Sequence, residues 1–563
     1  MKTLDLQNLD AELTRRMNQI AKDNQEKYTE FVDSCSKKYK NDLFWWLTPF
    51  ASRNLYMSSS FQNFCKILLA KEIIDDDKEL ILIVVGDKAY KHVLRQYICR
   101  QKKDIKISVR KKKNKKKGFV YAIYIFMDIW RKEFRNYLKI RRLIKNQIYR
   151  FDKPICLIDT YVLTSRIKDG HYRDRYFENI LKYTNENVFF CPTVSFDDNT
   201  SLEQVIFELL HCTDYKFILK EVFLKKRDYF KCFLYLLKVI KFCNSNKKYG
   251  ELNFTRIVNC DLIHGLRNLN TMIGMLNYYF MKNLLNANIP IKKLVGWYEG
   301  QPSSIGLFAA YQKISGKEAV GYIGFPLFDI LLFSVSPSAL QSKMKMSPAV
   351  VGIIGSYYST TVSQFNKNQK YEILPAFRNT NLYSKFNGEV EKKKEILVVL
   401  SYFKPSSVNL ILMINQIFTK EMGYKLIFKN HPTNSAFTLS DYGVEAGNYE
   451  YGFVNGNLMD HVLGKSLVLA ADTSSGLEIM ANGVPLILCE ELNTITFRPM
   501  LKEVFDGICG IAYNVDELKT QIERLLEKKY NKEDFKQYRQ YILEKMFTDA
   551  NEQTVARCFA VND

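Results

Sequence analysis

A chain of 563 residues is too long for one ordinary hydrophobic core and calls for two or three domains. Its 47% hydrophobic and 14% aromatic content excludes a disordered chain, the polar stretch Met1 to Asp23 does not read as a secretory signal, and no apolar run of about eighteen residues marks a membrane span. The formal net charge of +22 asks for an anionic partner or a lysine-rich solvated surface, and the twelve scattered cysteines form no Cys-x-x-Cys pair, so they read as reduced core thiols of a cytoplasmic protein without a zinc site.

Residues 1–78 read as a helical, peripheral extension in which Trp45 and Trp46 serve packing. Asp75-Asp76-Asp77 reads as a solvated acidic loop before the first strand, not as a metal site. From residue 79 the pattern changes. Leu80 to Val85, then Gly86-Asp87 and a helical stretch to Cys99, predict a buried strand, a turn and a helix. The run Lys111 to Lys117 is expected at the tip of a hairpin between Ile105–Val109 and Phe119–Tyr124. Two readings of it stay open: a solvated loop, or a contact for anionic lipid headgroups at the inner face of a membrane. No recognition motif accompanies the charge, so nucleic acid is not expected.

Further strands are predicted at Ile155–Ile158, ending in Asp159-Thr160-Tyr161, and at Val188–Phe190, with a mostly helical stretch from Leu202 to Asn286. Strands alternating with helices predict a parallel α/β sheet whose ligands meet the carboxyl ends of its strands. Leu294 to Trp297 is such a strand, and Glu299 just beyond it is the candidate general base. A carboxylate there can take the proton of an attacking hydroxyl; it can equally support the turn into the helix that follows Pro302. Ala319 to Ile323 leads into Gly324-Phe325, and Val350 to Ile354 reads as the last strand of a first domain over 79–365. Residues 366–394, with Pro375 and few periodic apolar positions, read as a linker to a second domain over 395–563.

The second domain opens with the strand Glu395–Leu400 and a polar turn holding Ser401, Lys404, Ser406 and Ser407. An apolar strand then ends in Lys429-Asn430-His431-Pro432. Later, Leu467 to Ala471 runs into Thr473-Ser474-Ser475-Gly476 and a helix to Asn482, closed by Gly483 and Pro485, with Glu478 in its first turn. Apolar strands that stop at small polar residues before a helix make an anion site, because unpaired N–H groups and hydroxyls converge at the positive end of a helix dipole. The bland alternatives are a helix cap for each serine turn and a plain loop for His431-Pro432.

A strand ending in Lys-x-His-Pro, then a strand followed by Ser-Ser-x-x-Glu and Gly-x-Pro, resembles the C-terminal nucleotide-binding domain of GT-B glycosyltransferases. It is similar in particular to the branch containing bacterial sialyltransferases and polysialyltransferases and capsule Kdo transferases, and more distantly to CDP-glycerol polymer transferases. The order of blocks over residues 80 to 545 also resembles a family of surface carbohydrate biosynthesis proteins. The resemblance implies an α/β, GT-B-like fold of two facing Rossmann-like domains. It also implies a nucleotide-sugar donor, CMP-linked, held through Lys429, His431, Pro432, Thr473, Ser474, Ser475, Gly476 and Glu478, with Ser401, Ser406 and Ser407 nearby. The acceptor would be a glycan or lipid-linked glycan, and no cofactor or metal is implied. Tyr298-Glu299-Gly300 is similar to the acidic-acidic-Gly motif that carries the base, but Tyr298 stands where an acid is expected. Relatives often carry a His where Gly324-Phe325 stands.

The expected chemistry is one inverting displacement. Glu299 activates the acceptor, and His431 with the serine turn receives the leaving phosphate. Three alternatives remain: a CDP-glycerol-type phosphotransferase, a nucleotide-sugar epimerase, and a non-catalytic basic scaffold or nucleic-acid-binding protein.

Overall fold

The computed structural model describes residues 3–110, 118–145, 147–163, 166–184, 187–195, 201–327, 333–383, 393–471, 473–496 and 502–559. The lysine run 111–117 and Asp472 lie outside the described residues.

Three parallel sheets organise the chain. A small one contains β1 (Thr3–Asp5), β2 (Leu82–Val85) and β3 (Lys106–Val109), in that order. The first large sheet contains β4 (Ile155–Leu163), β5 (Val188–Ser195), β6 (Ile291–Trp297), β7 (Ala319–Ile323), β8 (Val350–Ile353) and β9 (Lys370–Ile373), in the spatial order β9-β8-β7-β6-β4-β5. The second contains β10 (Lys393–Val399), β11 (Lys425–Lys429), β12 (Glu450–Val454), β13 (Lys465–Ala470), β14 (Leu486–Cys489) and β15 (Cys509–Ala512), in the order β12-β11-β10-β13-β14-β15. Counted within that sheet, the order is the Rossmann sequence 3-2-1-4-5-6, and the first large sheet follows a flavodoxin-like order. The two Rossmann-like sheets form the α/β, GT-B-like architecture expected from the sequence.

The strands are apolar on both faces because helices cover both faces. In β10, Ile396 and Val398 pack into one hydrophobic core while Leu397 and Val399 pack into another, following the two-residue period of a strand. Labelled helices are α1 (Phe119–Leu143), α2 (Lys226–Lys231), α3 (Leu234–Cys243), α4 (Pro302–Ser315), α5 (Lys404–Ile417), α6 (Gly476–Ala481) and α7 (Val515–Glu527). Helices α5 and α7 contribute to the core on one face of the second sheet.

Several expectations are corrected. The segment 119–124 is not the arm of a hairpin. It opens the long helix α1, whose Ala122, Phe126, Tyr137 and Ile140 are buried, while β3 pairs in parallel with β2. Val350 to Ile353 is not the last strand of its sheet, since β9 pairs beside it from within the segment read as a linker. Asp75 and Asp76 close the helix Ser60–Asp76, and Asp75 is held by Lys71 at 2.8 Å and by the Tyr97 hydroxyl at 2.6 Å.

The N-terminal segment is not peripheral. Trp45 and Trp46 are fully buried, and the Arg53 guanidinium donates to Thr29 Oγ1 at 2.9 Å, Ser336 O at 2.8 Å and Gln341 Oε1 at 2.6 Å. The same segment reaches the second half of the chain: the Asn493 side chain donates to Gln7 O, and Thr496 N donates to Asn18 Oδ1. Near the other end, residues after α7 return to the first large sheet. Ala376 N donates to Thr548 O, and buried Phe559 packs on Phe377, Phe177 and Tyr322.

Arg53→Leu removes a donor from three buried acceptors, of which Gln341 Oε1 keeps Ser338 N, at about 1–3 kcal/mol for each group left unsatisfied. It is expected to lower the first thermal unfolding transition by several degrees in differential scanning calorimetry, more than the exposed control Arg95→Leu.

Candidate functional site

In an open parallel sheet, ligands sit at the carboxyl ends of the strands where the strand order reverses. In the first large sheet that point lies between β4 and β6, and Glu299 follows β6 directly. In the second sheet it lies between β10 and β13, the strands that run into Ser401 and into Thr473-Ser474-Ser475. His431 leaves β11, the neighbour of β10.

Glu299 is half-buried and oriented from both sides. Trp297 Nε1 donates to its Oε1 at 2.7 Å and Gln301 Nε2 to its Oε2 at 2.6 Å, while Asn54 Nδ2 holds its main-chain carbonyl at 2.7 Å. A carboxylate has about four lone-pair sites, so two accepted bonds still leave room for a substrate hydroxyl. Gly300 completes the turn at φ +68°, and a Cβ there would lie 2.7 Å from Ser334 Oγ, so position 300 requires glycine.

The Gly324 departure has a steric cause. A Cβ at Gly324 would meet Trp297 Cζ3 at 2.5 Å and Tyr322 Cε1 at 2.6 Å, and the Phe325 ring packs 5.5 Å from that of Trp297. An aromatic group occupies the place where a histidine was expected, and it includes the indole that orients Glu299.

His431 is half-buried. Its Nδ1 accepts from Thr433 N at 3.3 Å, which leaves Nε2 of the neutral ring to carry the proton, and the Tyr402 ring stands edge-on at 5.4 Å. Burial, followed by the positive charges of Arg175 and Lys429, lowers its pKa, so the neutral donor form prevails at neutral pH. Pro432, exposed, opens the short 3-10 turn that gives Thr433 its position. Lys429 is buried and donates to Asn430 O at 3.0 Å.

The serine turn is more self-satisfied than its sequence suggests. Thr473 Oγ1 accepts from Ser475 N at 3.1 Å. Ser474 is exposed and Gly476 buried. The helix that follows, α6, has only six residues. Glu478 accepts from Asn379 Nδ2, a contact that ties α6 to the segment after β9; burial raises its pKa, with Arg378 and Ser475 opposing. The turn after β10 behaves as a helix start. Ser401 Oγ accepts from Phe403 N at 3.0 Å, Ser407 Oγ donates to Ser401 O at 3.2 Å, and Ser406 Oγ donates to Glu491 at 3.0 Å, so all three hydroxyls have protein partners.

What links the two walls is a turn that sequence reasoning missed. Buried Asp174 accepts from Tyr176 N at 2.6 Å and Phe177 N at 2.9 Å with one oxygen, and from Thr160 Oγ1 at 3.0 Å and Tyr172 OH at 3.1 Å with the other. That carboxylate fixes Arg175 and Tyr176. The Tyr176 ring lies 4.2 Å from Trp297, and the Arg175 charge reaches His431. Arg378 sits 6.0 Å over the Trp297 ring; burial and then Arg175 lower its pKa, while Glu478 acts in the opposite sense. Among the described residues, neither arginine has a carboxylate within ion-pairing distance. Two guanidinium groups on one aromatic pair, with the charge of Arg175 also acting on His431, make this place strongly attractive to an anion. Glu299 is tied to this turn through Trp297, and His431 through the charge of Arg175; Ser406 and Ser407 are turned to other partners.

No family model matches this chain, and no curated protein matches it. Among solved structures, it is similar to S. aureus MnaA in its UDP co-structure, at 10% identity and a TM-score of 0.39 over 72% of this chain and 94% of that one. It is also similar to MurG of Acinetobacter baumannii (10% identity, TM-score 0.36, 69% and 95% covered) and to the UDP-GlcNAc 2-epimerase of Neisseria meningitidis (11%, 0.38, 70% and 95%).

Arg175→Ala removes a positive charge beside His431 and is expected to raise the imidazole pKa, as read from proton NMR titration of the ring. In the native protein the depressed pKa means that the stability linked to His431 is present above its unfolded value, near 6.5, and is lost as pH falls through the folded value. The variant should therefore show a shallower acid loss of melting temperature.

Proposed function

We propose that this protein is an inverting glycosyltransferase that moves a sugar from a nucleotide-activated donor, a CMP-linked acid sugar, to a glycan or lipid-linked glycan during surface polysaccharide synthesis. The observation that carries this reading is that the Arg175–Tyr176 turn stands between Glu299, which follows β6 at the reversal point of the first large sheet, and His431, which follows β11 of the second.

The steps follow from the groups at the cleft. Glu299, oriented by Trp297 and Gln301, takes the proton of the acceptor hydroxyl. The acceptor oxygen bonds to the anomeric carbon as the bond from that carbon to the donor phosphate breaks, and the electron pair leaves with the phosphate. His431 Nε2–H and the exposed Ser474 hydroxyl donate to that oxygen, and Arg175 and Arg378 stabilise its charge without having to reorganise. The arginines also favour a donor with a negative charge beyond its phosphate, which suits an acid sugar.

The test is a thermal-shift panel of cytidine, uridine, guanosine and adenosine mono- and diphosphates on the wild type, on His431→Ala and on Glu299→Gln. A ligand at about a hundred times its Kd stabilises the folded state by roughly 2.7 kcal/mol. CMP is expected to raise the melting temperature of the wild type and of Glu299→Gln but not of His431→Ala, while Glu299→Gln lowers the transfer rate at least ~100-fold, the scale of a lost general base. Preference for CDP would replace this reading with the phosphotransferase, and preference for UDP with the epimerase or a hexosyltransferase. No shift with any nucleotide would leave the scaffold.

A further inference from the structure

A group of exposed apolar side chains lies on α1, α2 and α3. Helix α1 exposes Val120 (80%) and Tyr124 (65%) along its first half, and α2 and α3 expose Phe230 (53%), Leu234 (47%) and Leu237 (66%). Leu234 and Leu237, three residues apart, share a side of α3, and Phe230 stands near the end of α2, just before the turn into α3.

Helix α1 packs on the α2–α3 segment through its middle. The Trp130 ring of α1 lies 5.5 Å from Phe230 and 4.8 Å from Phe233, its Nε1 donates to Tyr229 O at 2.9 Å, and Phe126 lies 6.1 Å from Phe233. Exposed apolar groups of this size normally mark a contact surface.

The rim of this patch is basic. Arg131, Lys132 and Arg135 continue the exposed stripe of α1 as its apolar part ends, and exposed Lys225, Lys226 and Arg227 lead into Phe230. Asp128 is the exposed acid on the same part of α1, and Asp228 of α2 is buried. The sequence adds six lysines at 111–117, immediately before α1. Apolar side chains ringed by Lys and Arg match a bilayer, whose anionic headgroups meet the cations while the acyl boundary receives the apolar groups. No described helix is long and apolar enough to cross a membrane, so this surface would lie on the bilayer plane.

We propose that the face formed by α1, α2 and α3 docks this protein on an anionic lipid bilayer, with Val120, Tyr124, Phe230, Leu234 and Leu237 entering the interface and Arg131, Lys132, Arg135 and Lys226 contacting headgroups. This surface is independent of the donor cleft.

The test is co-sedimentation of the full chain with vesicles of phosphatidylcholine alone or with phosphatidylglycerol at 30 mol%, a probe composition of about the anionic content used to mimic charged leaflets. Binding should be at least ~10-fold tighter to the anionic vesicles and should weaken as salt screens the headgroups. Tyr124→Ser/Phe230→Ser/Leu237→Ser should lose ~10-fold or more of that affinity. Arg131→Ser/Arg135→Ser/Lys226→Ser should abolish the anionic preference; its substitutions are all on exposed polar positions, so it decides the matter if the apolar variant misfolds. Equal binding to both vesicles, no binding, or full binding by the charge variant overturns the proposal. Concentration-dependent dimers that only the apolar variant loses would assign the face to a second copy of the chain and also overturn it. Nucleotide melting shifts should be the same in these variants as in the wild type, so failure here and failure of the glycosyltransferase reading are separately visible.

Discussion

The carboxylate of Asp174 is the point on which the cleft depends. A buried charge is tolerated only when its lone pairs are met, and here two main-chain N–H groups and two hydroxyls, from Thr160 and Tyr172, meet them. Burial raises its pKa, and the four donors oppose that shift. Because two of those donors belong to the residues that follow it, satisfying the charge and shaping the turn are the same event. The turn then aims Arg175 at one wall and Tyr176 at the other. Without it, the indole that holds Glu299 would lose the Tyr176 ring at 4.2 Å and keep those of Tyr322 and Phe325.

Parallel pairing supplies the rest. Strands that all run the same way put all their carboxyl ends along one edge, so residues far apart in sequence, such as Glu299 and Asp159 in one sheet or Ser401 and Thr473 in the other, arrive together without a local signal linking them. Some of what arrives is structural. Asp159 is neutralised inside the sheet by Lys220, which also donates to Thr193 at 2.7 Å. The Asp159–Lys220 ion pair thus lies inside the sheet, while Arg175 and Arg378 have no carboxylate within ion-pairing distance among the described residues.

This explains what the sequence made legible. Strands buried on both faces have near-continuous apolar runs, and Leu486–Cys489 is visible for that reason. His431 and the Thr473–Gly476 turn stand out in the sequence because such runs end at them. Edge strands lack that signal. Lys370–Ile373 and Glu450–Val454 are largely exposed or half-exposed, so the first was read as linker and the second was not singled out. Residues 119–124 carry strand-favouring side chains, yet they open α1 with Ala122 buried, a case of tertiary context overriding local preference. Arg175 and Arg378 were invisible because an arginine in a loop acquires meaning only from the ring it covers and the charge it lacks.

The return of the chain to the first large sheet has a consequence for biosynthesis. Phe559 fills a space among Phe177, Tyr322 and Phe377, next to the aromatic group around Trp297. Domains generally form in the order in which they leave the ribosome. Here the core of the earlier-made half stays open until the later-made half has been translated. During that interval the nascent first sheet exposes aromatic surface, a natural place for a chaperone to act.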